Sequence, residues 1–223
     1  MFRQIISLAV VGGLLAFDTH TVHAQTGKTE TDKSKEMSVE EVKRASVGEW
    51  RSIATEARPS AQKGADGSIK PFYLTRRFRC DLTGNFDLVV TSYGDPNGRV
   101  AVSRMDIKGH MIWQGPHLVQ PGAQKVDFIA DVAYTVTPLA QGFADVLNQY
   151  SQGFEKWEVN KEQSIFRRSF LPFGLKEGDI FKEYDLVYVY QDMMFWGARH
   201  VDGRGFDSEE NRPTNLQIPM VRK

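Results

Sequence analysis

The sequence predicts a mainly β protein, an antiparallel β-barrel of about 8–10 strands with one α-helix. Two observations carry this. From Val47 onward apolar and polar residues alternate in runs of about 6–12 residues, broken by Gly, Asn, Pro and Asp. Only one long segment, opening at Thr137-Pro138, repeats its apolar residues at helical spacing. Of the 223 residues 41% are apolar and 11% aromatic, enough to fill a core and too many for a disordered chain.

Residues 1–24 read as a secretory signal peptide: Arg3, an apolar run from Ile5 to Phe17, then Val22-His23-Ala24 in the small-x-small form of a cleavage site. The run is shorter than the roughly 20 residues that cross a bilayer. No integral membrane span is therefore expected in the mature chain, and a secreted or periplasmic location follows. Residues 25–46 form a polar leader with a short helix. Its first part has no apolar residue to offset the entropy of ordering, while Ser38-Val-Glu-Glu41 matches a capping box for a helix through about Arg44.

The domain spans 47–223. Phe72, Leu74, Arg76, Phe78 and Cys80 share one strand face; Phe86, Leu88 and Val90 follow after the turn Leu82-Thr-Gly-Asn85. Asp95-Pro-Asn-Gly98 closes a hairpin between Phe86–Tyr93 and Arg99–Ile107, and Lys108-Gly109 punctuates before Met111–Trp113. In Val126–Val136 the even positions, Val132 among them, share a face. Thr137 and Pro138 are read as N-cap and first residue of the helix, with Leu139, Phe143, Val146, Leu147 and Tyr150 on its apolar side. Trp157–Val159, Ile165–Phe170, Tyr184–Tyr190, Met193–Arg199 and Leu216–Val221 complete the strands, with a tight turn at Gln191-Asp192.

Twenty-eight basic residues balance 28 acidic ones, which argues against a nucleic-acid partner whose affinity rests on many neutralised phosphates. One cysteine, Cys80, excludes an intrachain disulfide and a cysteine-based metal cluster. His110, His117 and His200 match no metal spacing, and no Gly-x-Ser-x-Gly elbow occurs. The reading is non-enzymatic, with no catalytic residue, metal or cofactor.

Gly48-Glu49-Trp50 has the Gly-x-Trp form found at the entrance of lipocalin-like barrels. It is followed by Arg51-Ser52, Thr55-Glu56-Ala57-Arg58-Pro59 and Phe72-Tyr-Leu-Thr-Arg-Arg-Phe78, then Val136-Thr-Pro-Leu139, Leu147-Asn148, Tyr184-Asp185, Gln191-Asp192 and the run Arg212 to Val221. This ordered set resembles the domain of the adenomatosis polyposis coli down-regulated one family. The resemblance implies an antiparallel lipocalin-like β-barrel with a hydrophobic cavity, in a family whose animal members are membrane-anchored, bind lipid-modified Wnt ligands and inhibit Wnt signalling. Thr55 stands where the family pattern carries a cysteine, so its disulfide framework is missing here. A disulfide-free single copy behind a signal peptide suits a bacterial periplasmic or secreted protein.

The expected function is an exported binding protein that holds a hydrophobic small molecule or the acyl chain of a lipidated partner; the alternative is a structural or protein-interaction module of the cell envelope with a solidly packed barrel. The candidate ligand-binding residues are Trp50, Arg76, Phe78, Phe86, Phe128, Tyr134, Tyr188 and Trp196. A barrel of this size holds either side chains or one small ligand, and alternation leaves both open. Arg76, on an apolar face, needs a partner. It either stacks on Trp50 or pairs with a buried acid as a structural arginine, or it meets a ligand head group.

Overall fold

The computed structural model describes residues 37–223; the expected signal peptide and most of the expected leader lie outside the described residues. The chain begins with α1 (Val39–Ser46). Ser38 accepts from the Glu41 backbone while the Glu41 carboxylate accepts from the Ser38 N–H at 2.7 Å, so the capping box forms as expected.

Ten antiparallel strands follow in one sheet: β1 (Gly48–Ser52), β2 (Glu56–Lys63), β3 (Ile69–Cys80), β4 (Asn85–Tyr93), β5 (Ala101–Pro116), β6 (Gln124–Pro138), β7 (Gln163–Ser164), β8 (Lys182–Tyr190), β9 (Met193–Trp196) and β10 (Met220–Arg222). The pairing order β1-β10-β9-β8-β6-β5-β4-β3 returns to β1, because β1 pairs with β10 and also with the second half of β3. The sheet is therefore ring-like, and its closure answers the backbone groups that a free edge would expose. β2 extends the β3 edge and β7 adds to β6.

Alternation decides which side chains point inward. Trp50, Phe78, Leu88, Ile107 and Tyr134 stand opposite one another across five strands, and all are buried. Arg77 and Arg79 face out and are exposed, as their parity requires.

Several elements differ from the sequence reading. β5 runs unbroken through Gly109, where a turn was expected, because a Cβ there would collide with the Ile129 carbonyl: the glycine admits a close backbone approach. Beside it, Ile129 to Ala133 spans the same step as His110 to Lys108, so β6 bulges by two residues and Val132 is pushed out to 62% exposure instead of sharing the buried face. Thr137 and Pro138 end β6 opposite Arg104 and Ser103; the helix of the domain is α2 (Gln141–Tyr150), which starts later than expected and is entered from Ala140. Trp157–Val159 and Ile165–Phe170 form no strands; the two-residue β7 lies between them. They fold under α2, where Ala144 and Leu147 pack with Trp157, Ile165 and Phe170. Trp157 is fixed there by Asn148, which bonds both its backbone groups at 2.8 and 2.9 Å, and by Ser151, which accepts from the indole at 2.8 Å. The closing strand is Met220–Arg222, shorter and later than Leu216–Val221.

Candidate functional site

The inward face of β3 carries one charge among apolar residues, Arg76, which is 4% exposed. Its Nε donates to Glu56 Oε1 at 2.9 Å, and its guanidinium lies over the Trp196 ring at 4.4 Å. Its terminal nitrogens Nη1 and Nη2 are enclosed and have no hydrogen-bond partner among the described residues. Buried guanidinium N–H groups left unanswered in this way are costly.

Glu56, on β2 opposite Leu74, is fully engaged. It accepts from Arg76, from Ser52 Oγ at 2.9 Å and from both Nε and Nη2 of Arg58. Burial alone would raise its carboxyl, but the Arg76 and Arg58 charges and these hydrogen bonds outweigh it and hold the group below the usual range.

β8 brings two more acids to the inner side. Glu183 and Asp185 alternate onto the face of Val187 and Val189, opposite Phe128 and Val126 of β6. Asp185 Oδ1 accepts from the Leu186 and Gly197 backbones at 2.7 and 2.9 Å. Burial, and secondarily the Glu183 charge, push the Asp185 carboxyl up to about 7. The Glu183 carboxyl group makes no hydrogen bond within the described residues, and burial raises it against the opposing pull of Arg58, Arg199 and Arg76. Arg199 stacks over Phe72 at 5.4 Å and donates to the Gly203 carbonyl. Three arginines and three carboxyls thus share one end of the interior.

Of the sequence-predicted residues, Phe78, Phe86, Phe128 and Trp196 come together. Phe78–Trp196 and Phe128–Trp196 centroids are 4.9 and 4.6 Å apart, and Phe86–Phe128 5.5 Å. Trp196 joins this cluster to Arg76. Trp50 is buried at the other end, where its indole donates to the Ser46 carbonyl at 2.8 Å beneath the Arg222 guanidinium. It is Arg222 and not Arg76 that stacks on Trp50. Tyr134 packs on Phe173 and Phe181, its hydroxyl 3.5 Å from Met105 Sδ, and burial raises that hydroxyl with Glu183 as the neighbouring charge. Tyr188 is the exception: it sits on the face opposite Val187 and Val189, pairs with Phe195 and stacks on Tyr190, so it does not line the interior.

Sequence reasoning missed Glu56, Arg58, Glu183, Asp185 and Arg199 as site residues. The alternation that singled out Arg76 applies equally to Glu183 and Asp185. It also missed Arg212, a buried clasp that donates to the Val126 and Asp185 carbonyls at 3.1 and 2.6 Å and pairs with Asp127 and Glu209 at 2.6 Å each.

Cys80 Sγ donates to the Ser46 carbonyl, and burial pushes its thiol up to about 12, far from a nucleophile's range. Among the described residues no group of three or more His, Cys, Asp or Glu is placed to hold a metal, and no helix is long and apolar enough to cross a membrane. The outer face carries two open grooves of about 400 and 410 Å³, lined in part by Arg77, with Arg79 and Lys108 in the first and Arg51 and Arg104 in the second. Comparison of the chain with protein-family models and with curated proteins finds no match.

Proposed function

We propose that the protein is an exported, non-enzymatic binding protein whose ring-like sheet is a lipocalin-like barrel, and that its interior takes a hydrophobic ligand of the fatty acyl kind. The observation that carries this is Arg76: a buried cation inside an aromatic interior with two terminal nitrogens unpartnered among the described residues. A purely structural arginine is expected to have its hydrogen bonds filled, as buried polar groups generally do. The resemblance to the adenomatosis polyposis coli down-regulated one family supports the same reading through its lipid-binding members, and the signal-like residues 1–24 support export.

A second reading is an interaction module of the cell envelope. What favours it is the ring contact among Phe78, Phe86, Phe128 and Trp196, which fills the middle of the interior with side chains. Native mass spectrometry of the purified protein, followed by displacement of the neutral dye Nile red by palmitic acid, separates the two. A retained lipid or a saturable displacement is expected. A protein that carries no lipid and binds neither dye nor acid overturns the first reading in favour of the second.

A further inference from the structure

The guanidinium of Arg76 is used on one side only. Glu56 takes Nε, while the opposite edge, formed by Nη1 and Nη2, is enclosed and has no hydrogen-bond partner among the described residues. That edge is two parallel N–H donors at the spacing of a carboxylate's two oxygens, the fork for which arginine is suited. Trp196 lies against the guanidinium face and Phe72 against Arg199, so apolar walls adjoin the charge. Arg58 and Arg199 add positive charge from β2 and from the segment after β9, while Glu56 is already engaged by Arg76, Arg58 and Ser52.

We propose that Arg76 anchors the free carboxylate of the ligand, so that the site takes a fatty acid and not the acyl group of a lipidated partner. This rests on the barrel reading above and chooses between its two ligand sources. An ester or amide carbonyl carries no charge and one acceptor oxygen. It leaves half the fork unanswered and the buried cation without its counter-ion. A carboxylate fills both donors and neutralises the charge in the same contact. Glu183 and Asp185 lie on the inward side of β8, and burial raises both carboxyls, which weakens their competition for the arginines below the Asp185 value of about 7.

The test compares palmitic acid with methyl palmitate on the delipidated full chain at pH 6, each displacing Nile red. The acid is expected to bind roughly 10- to 100-fold more tightly, the size of a charge-assisted bidentate contact. In E56Q/R76Q, which removes both charges of this pair and leaves Arg58 a neutral amide in place of Glu56, the preference falls to near unity while the dye still binds. Equal affinities for acid and ester in the wild type, or a preference that survives E56Q/R76Q, overturn the inference and leave the barrel reading standing; failure of both lipids to displace the dye overturns the barrel reading itself. A measurement on the wild type alone covers the case in which the variant does not fold. The carboxyl ¹³C signal of labelled palmitate stays that of the ionised form as pH falls through 5 if Arg76 holds it, and titrates like an ordinary fatty acid if it does not.

Discussion

Two arginines in this protein stack on two tryptophans, and their hydrogen bonds separate a closure from a site. Arg222 lies 4.2 Å over Trp50 and spends all three nitrogens: on Asp192 at 3.2 Å, on the Val47 carbonyl at 2.8 Å and on the Ala45 carbonyl at 2.8 Å. It ties the last strand to the junction of α1 and β1. Even Gly48 belongs to that clamp, since its φ of 125° is one that L side chains rarely adopt and a Cβ there would stand 2.9 Å from Arg222 Nη1. Arg76 lies 4.4 Å over Trp196 and has one of three nitrogens answered. A cation on an indole face is therefore no guide to role; the count of filled donors is.

The comparison breaks first at Trp50. Replacing it by alanine empties the closed end and leaves the Ser46 carbonyl only the weak Cys80 thiol donor, so Trp50→Ala is expected to lose about 3–5 kcal/mol of stability in guanidinium unfolding; a loss below about 1 kcal/mol would mean that this end is not the closure. Arg222→Met is the next largest. It deletes three hydrogen bonds and a cation–π contact on a partly exposed side chain, worth about 2 kcal/mol, and leaves the preference for acid over ester intact. E56Q/R76Q is the mirror image. It removes the buried Glu56–Arg76 pair but also takes the carboxylate from Arg58, so a stability loss of about 1–2 kcal/mol is expected, while the acid preference disappears. If Arg222→Met altered ligand choice, or E56Q/R76Q altered only stability, the two stacks would have the same role and the distinction would fail.

How much of this was legible in the sequence varies by region for a physical reason. Alternation over Phe72–Cys80 places Arg76 inward because strand parity is a local property, and the Ser38–Glu41 box marks α1 because a cap is local too. β2 went unread: Pro59 sits opposite Pro71, neither able to donate, and its inward residue is a glutamate whose only reason to be buried is an arginine 20 residues away. Trp157–Val159 looks like a strand since a short apolar run does not say whether a ladder or a helix covers it. Val132 was placed on the wrong face because the two-residue bulge that turns it out is demanded by Gly109 on another strand. Arg212 lies 85 residues from Asp127 in sequence, and no periodicity encodes such a meeting. The site's charges share that difficulty: only once the ring closes do β2, β3 and β8 bring their side chains together.

The smallest effect concerns pH. Asp185 titrates at about 7 in the folded chain against 3.8 for an ordinary aspartate. Between those values the folded state holds a proton that the unfolded chain has released. The stabilisation is therefore fully present below about 3.8 and is lost as pH rises through about 7. Glu56 and Asp127 run the other way: their carboxyls are held low, so what they contribute is present at neutral pH and lost on acidification. Asp185→Asn keeps the oxygen that accepts from Leu186 and Gly197 and removes the charge that burial, Glu183 on the same strand, Arg76 on β3 and Arg58 on β2 all act upon. Thermal unfolding across pH 4–9 should show the variant level with the wild type near pH 4 and increasingly more stable than it as pH rises to 8. Above pH 7 it should also retain fatty-acid affinity that the wild type loses as Asp185 ionises and competes for the arginines. Parallel curves would mean that Asp185 carries no proton into the fold.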